Sequence, residues 1–191
     1  RVAISGRRPD VLESAGRELE RAGSTPLLLP LDVADASAVS EAGRTLLDRE
    51  GRVDLLVNNA GWNVPKRFLD QLDVADWQRM IDVNLSGALY CAKAVLPAMR
   101  ARQGGLIINV ASWGGKHVVR AAGAAYTAAK HAIVALSESM NIEECVHGIR
   151  VCALCPAEVS TPFLDRRPVP PTDAERRSFL QPGDMGRVVC F

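Results

Sequence analysis

The 191-residue sequence has almost no net charge and no block of either sign. Its 23 Lys and Arg residues are interspersed with 22 Asp and Glu, which leaves a formal charge of +1. A nucleic-acid or membrane-surface protein would present a basic stripe, so neither partner is expected, and the charges read as a solvated surface. No apolar run reaches the length of a membrane span. The five cysteines, Cys91, Cys145, Cys152, Cys155 and Cys190, are odd in number and lack paired metal-ligand spacing. No metal site is expected, and reduced, buried thiols in a cytoplasmic protein are the preferred reading. Cys152 and Cys155 fall in a predicted strand, where alternation points them to opposite faces. Internal repeats and low-complexity tracts are absent. So is a secretory signal, although a chain that starts at Arg1 without methionine makes that a weaker observation.

What is present is a core. At 48% hydrophobic residues, a chain of this size can bury one sizeable interior, and residues 1–191 read as a single domain. Short apolar runs at 2–5, 26–31, 54–58, 106–111 and 149–154 predict five strands. Between them lie helical patterns. Val11, Leu12, Ala15, Leu19 and Ala22 form one stripe that Gly23 stops, and Asp35 is a good N-cap for a helix to about Arg49. Longer helices are predicted over 74–102, interrupted near Asp82, and over 122–147. Continuously apolar strands alternating with amphipathic helices imply an α/β fold, a doubly wound, Rossmann-like parallel sheet with its ligand site at the carboxyl ends of the strands. The proline-rich stretch 162–171 cannot be regular structure. A short helix follows it and another starts near Pro182, so residues 162–182 are expected to form a substrate loop or lid.

The strand ends carry polar residues. Asn58-Asn59-Ala60-Gly61 follows the third strand and is compatible with a plain tight turn. Ser112 follows the fourth and is compatible with a helix cap. Tyr126 and Lys130 lie four residues apart on a predicted helix and share a face. A free phenol titrates near pH 10, but a neighbouring fixed positive charge lowers that value by about one to three units. With a serine hydroxyl to orient a substrate oxygen, the tyrosine can then exchange a proton near neutral pH. The plainer alternative is a packed tyrosine beside an exposed lysine.

Taken together and in order, DLLVNNAG, Asn84 in MIDVNLSGA, INVAS with Ser112, Tyr126-x-x-x-Lys130 and CPAEVST resemble the short-chain dehydrogenase/reductase family across residues 2–191. The resemblance implies a nicotinamide-dependent oxidoreductase acting on a carbonyl or secondary alcohol. It makes Tyr126 the acid/base, and Lys130 the group that lowers its pKa and binds the nicotinamide ribose. Ser112 becomes the orienting hydroxyl, and Asn84 the helix-interrupting residue that holds a water in a proton relay. Asn59, Ala60 and Gly61 correspond to the turn beside the cofactor ribose, and Asp32 and Val33 to the adenine contact. Pro156, Ala157, Val159 and Thr161 correspond to the segment holding the carboxamide end. The same resemblance makes a homodimer or homotetramer the expected assembly, built on the helices that start near Val74 and Ala122.

Two departures stand out. Ala157 replaces the usual glycine after Pro156, which strains the turn if that position needs positive φ. The family's first strand, with its glycine-rich phosphate-binding turn, and its last strand are not found, so the chain reads as an internal fragment expected to bind dinucleotide weakly. The tip of the strand at 2–5 keeps Arg7 and Arg8 where an acidic residue would select NAD. An arginine fork suits a 2′-phosphate, so NADP(H) is expected over NAD(H), carried by Arg7 with Arg8 as helper. The alternatives are a catalytically inactive relative serving as a binding or scaffold module, and the family's epimerase-like branch. Retention of Asn84, Ser112, Tyr126 and Lys130 together argues against the first, and the NNAG turn and short substrate segment against the second. The substrate class stays open between an acyl-carrier thioester, a sugar and a steroid. The expected pocket is rimmed by the loop 62–68, Trp113 and the basic residues Lys66, Arg67, Arg166 and Arg167.

Overall fold

A computed structural model describes all 191 residues. Strands and helices alternate: β1 (Ala3–Gly6), α1 (Pro9–Arg21), β2 (Leu27–Pro30), α2 (Ala36–Glu50), β3 (Leu55–Asn58), α3 (Val74–Ile81), α4 (Gly87–Arg102), β4 (Gly105–Val110), α5 (Ala124–Glu144), β5 (Ile149–Leu154), α6 (Asp173–Ser178) and α7 (Pro182–Cys190). Asp35 caps α2 as expected, its carboxylate accepting from the amides of Ser37 and Ala38 at 2.9 and 3.0 Å. The predicted interruption near Asp82 is a π-helical turn, Asp82–Ser86, between α3 and α4.

All strand pairs are parallel, but they form two sheets. β1 pairs only with β2, and the other sheet has the order β3-β4-β5. β1 and β3 each have one strand neighbour, and along both the residues alternate between exposed and half-buried. The core lies over the three-stranded sheet, where Ala92, Val95, Leu96 and Met99 of α4 meet Ile107 of β4, Met140 of α5, and Ile149 and Val151 of β5. Met99, Ile107 and Ile149 are fully buried, each contributing about 1.5–3 kcal/mol of apolar transfer.

Three expectations need correction. The proline-rich tail is not all irregular: Pro162–Arg166 makes a 3-10 turn, because a proline at the first helical position loses no hydrogen bond there. The cysteines are not mostly buried: Cys145, Cys152 and Cys190 are exposed. Cys152 sits on the solvent-facing side of β5, and Cys155 lies one residue past its end. Ala157 is not strained, since Gln103 is the one non-glycine residue with positive φ. No helix is long and apolar enough to cross a membrane.

Candidate active site

The carboxyl ends of β3 and β4 are tied to α5 by a largely buried polar ladder. Asn58 and Asn109 are paired positions on adjacent strands, and Asn58 Nδ2 donates to Asn109 Oδ1 at 2.8 Å and to the Ala88 carbonyl at 3.2 Å. Asn109 Nδ2 donates in turn to Ser137 Oγ of α5 at 2.9 Å, and Ser137 to the Ile133 carbonyl at 2.6 Å. In a dry interior such a chain fixes strand tips against a helix only if every member is satisfied, and no buried side-chain polar atom lacks a partner. Asn109 and Ser137 escaped the sequence reading. The available signal was a polar residue closing each of the apolar runs DLLVN and LIIN.

Asn84 stands in the π-helical turn, 2% exposed. Its Nδ2 donates to the carbonyls of Trp62 and Met80, both at 2.9 Å, and its Oδ1 accepts from the Trp62 amide at 3.1 Å. The segment after β3 is thereby clamped to α3. Asn59, Ala60 and Gly61 lie exposed just before that clamp.

Ser112 follows β4. Its hydroxyl accepts from the Gly114 amide at 3.1 Å, so it does cap a 3-10 turn, Trp113–Gly115. The Trp113 amide donates to the Pro156 carbonyl at 2.7 Å, which brings the segment after β5 beside the serine. Tyr126 is in the first turn of α5, packed against Val64, Met80 and Ala125, with the Phe163 ring of the 3-10 turn Pro162–Arg166 at 5.9 Å. Lys130 is 4% exposed. Its Nζ donates to the Val110 carbonyl at 2.8 Å and lies 5.6 Å from the centre of the Tyr126 ring. The exposed-lysine alternative is thus excluded.

Burial governs both titrating groups. It pushes the Lys130 ammonium down from 10.5 to about 8 and the Tyr126 phenol above its ordinary value. The expected lowering of the phenol by Lys130 is therefore not found, because desolvation disfavours the charged form of each group. The groups that pull Tyr126 the other way are the Ser112 hydroxyl and the guanidiniums of Arg167 and Arg67, while Glu158 opposes them.

The remaining predicted residues divide by place. Arg7 follows β1 and lies 3.7 Å from Asp32, and Arg8 precedes α1 with an extended backbone. Asp32 also pairs with Arg79. Burial alone would raise its pKa, but the Ala34 amide, Arg79 and Arg7 hold it below the ordinary value. Val33 packs on Gly87, where an added Cβ would come within 2.9 Å of its side chain. After β5, the chain from Pro156 through Ala157 reaches a bridge between Val159 and Leu180, and the Thr161 carbonyl accepts from Arg176 at 3.1 Å. Lys66 and Arg166 are exposed, as a rim requires, but Arg67 is not: at 3% exposure it is interior.

An apolar cavity of about 530 Å³ flanks the start of α5, lined among others by Phe68, Val119, Ala124 and Thr127. The larger cavity, about 610 Å³ at Arg1, Ser24 and Glu50, lies at the amino ends of the strands, away from these side chains. The donor set suits a nicotinamide ribose: Lys130 Nζ has three protons and one protein acceptor, and the exposed turn 59–61 leads towards it, with a Cβ on Gly61 reaching within 4.0 Å of that nitrogen.

A model of the short chain dehydrogenase family matches residues 1–169. The chain belongs to the short-chain dehydrogenases. Within that family, it is 39% identical over 94% of its length to oxidoreductase UcpA of Escherichia coli K12, of which it covers 73%. A gluconate 5-dehydrogenase from Burkholderia cenocepacia, solved with NADP and tartrate, superposes with a TM-score of 0.77 at 31% identity over 84% of this chain and 62% of that one. An NAD+-bound xylitol dehydrogenase superposes with a TM-score of 0.80 at 28% identity, covering 84% and 62%. The chain thus spans about two thirds of the length of the short-chain dehydrogenases it matches.

Proposed function

We propose that this chain carries the active site of an oxidoreductase that moves a hydride between NADP(H) and a carbonyl or secondary-alcohol substrate. The observation that carries the reading is the convergence of Asn84, Ser112, Tyr126 and Lys130 at the ends of β3 and β4. Family membership supports it. When bound, the nicotinamide supplies or accepts the hydride. Lys130 and the turn of Asn59, Ala60 and Gly61 hold the ribose, and Pro156, Ala157, Val159 and Thr161 hold the carboxamide end. Asp32 and Val33 line the adenine side, with Arg7 and Arg8 favouring the 2′-phosphate. Support for NADP comes from solved relatives that contain it, against one that contains NAD+.

The protein's own chemistry is proton transfer. Ser112 orients the substrate oxygen and Tyr126 donates to it during reduction or accepts from it during oxidation. Lys130 and Asn84 return the proton through the relay. The raised phenol pKa favours the protonated acid at neutral pH, which suits the reducing direction. Tyr126→Phe should lower kcat for ketone reduction by about 10²–10⁴-fold, read as NADPH consumption across a panel of ketones. Full activity in that variant would reject the assignment.

A further inference from the structure

Arg67 joins three separate pieces of chain from the interior. Its Nε donates to the Val64 carbonyl at 2.7 Å, and its two terminal nitrogens donate to the carbonyls of Ala121 at 3.1 Å and Arg166 at 2.5 Å. These carbonyls belong to the segment after β3, to the turn before α5 and to the lid. Gly123 takes φ +81°, and a Cβ there would come within 2.8 Å of the Arg67 side chain, so the turn is wrapped onto the arginine.

Carbonyl dipoles engage all three nitrogens of the guanidinium but do not neutralise its charge. Arg67 makes no salt bridge, whereas Arg167 is paired with Glu158. A buried cation without a counter-ion is costly unless an anion forms beside it. The three tethered segments all adjoin Tyr126: Val64 packs in the same cluster, α5 begins one residue after Gly123, and Phe163 of the same lid turn as Arg166 packs on the tyrosine ring.

We propose that Arg67 is a positioning residue that latches the lid over Tyr126 and supplies the buried positive charge complementary to its phenolate. The charged and titratable groups around the phenol are Arg67 from the segment after β3, Arg167 from the lid, Glu158 from the segment after β5 and Lys130 from α5. Arg167 is ion-paired with Glu158, and Lys130 is neutral above about pH 8. Arg67 is thus the cation beside the phenol that has no carboxylate partner and stays charged where a buried phenol titrates. The functional consequence rests on the acid/base role given to Tyr126, but the test does not depend on turnover.

The chain has two tyrosines, so Tyr90→Phe leaves Tyr126 as the sole phenol, and its ionisation can be followed by phenolate absorbance. In that background Arg67→Gln should raise the titration midpoint by about one unit, and Arg67→Lys, whose buried ammonium would lose its proton before the phenol as Lys130 does, should raise it too. No rise with Arg67→Gln, or none with Arg67→Lys, overturns the electrostatic part. Trypsin cleavage of the Arg166–Arg167 bond, mapped by mass spectrometry on the folded full chain, reads the latch. Arg67→Lys cannot hold all three carbonyls and should be cut several-fold faster than wild type, and an unchanged rate overturns the latch even if Arg67→Gln fails to fold. Loss of activity in Tyr126→Phe bears only on the acid/base role, so the two ideas fail separately.

Discussion

Replacing Lys130 with methionine should make the protein more stable while abolishing its proposed chemistry. Methionine keeps an unbranched stem and removes the buried ammonium. Burial has moved the folded-state pKa from 10.5 to about 8, and each unit is worth about 1.4 kcal/mol. Keeping the charged form inside thus costs folding about 3 kcal/mol below pH 8. The unfolded chain retains this proton up to about pH 10.5, whereas the folded chain releases it near 8. Between those values the unfolded state binds more protons, so the Lys130 contribution makes stability rise with pH. At pH 7 Lys130→Met should exceed wild type by about 1–3 kcal/mol, the lower figure allowing for the lost hydrogen bond to Val110. That advantage should vanish towards pH 10.5. Cys91, raised from 9.0 to about 11, and Tyr126, also raised, lose stability in the alkaline range, but both are common to the two proteins and largely cancel in the difference. Urea unfolding followed by circular dichroism from pH 7 to 10.5 measures it. A pH-independent difference, or a methionine variant less stable at pH 7, would refute the reasoning.

Asn84→Ala removes two hydrogen bonds that clamp Trp62 to the π-helical turn and a third to the Met80 carbonyl, and should cost about 2–4 kcal/mol in the same urea assay; a loss below about 0.5 kcal/mol would show that the clamp carries little. Arg7→Asp places a second carboxylate beside Asp32, which Arg7 now faces at 3.7 Å. It should lower the NADPH-to-NADH ratio of kcat/KM by roughly tenfold or more, and an unchanged ratio counts against the 2′-phosphate role.

The alternation of apolar strands and striped helices was legible because each signal is local: a period of two or 3.6, an N-cap such as Asp35, a stop such as Gly23. Tyr126 and Lys130 were legible for the same reason, being one helical turn apart. What the sequence hid is set by partners far along the chain. Arg67 looks like a surface cation beside Lys66, and only Ala121 and Arg166, 54 and 99 residues away, make it interior. The phenol's direction of shift was misjudged because charge proximity is visible in a Y-x-x-x-K spacing and desolvation is not. Cys152 was placed indoors by its apolar neighbours, but strand alternation turns it outward.

The π-helical turn has a geometric effect beyond holding Asn84. It admits one residue more than an α-helical path between α3 and α4, and one residue is worth about 100° of helical phase. Without it, the direction of Met80 would diverge by about that angle from the stripe of Ala92, Val95, Leu96 and Met99. With it, both halves bury the same side, and the rotation is absorbed over Asp82–Ser86. The five-residue turn thus acts as a phase corrector: a single deletion there would restore an unbroken helix and swing one of its two apolar faces off the core.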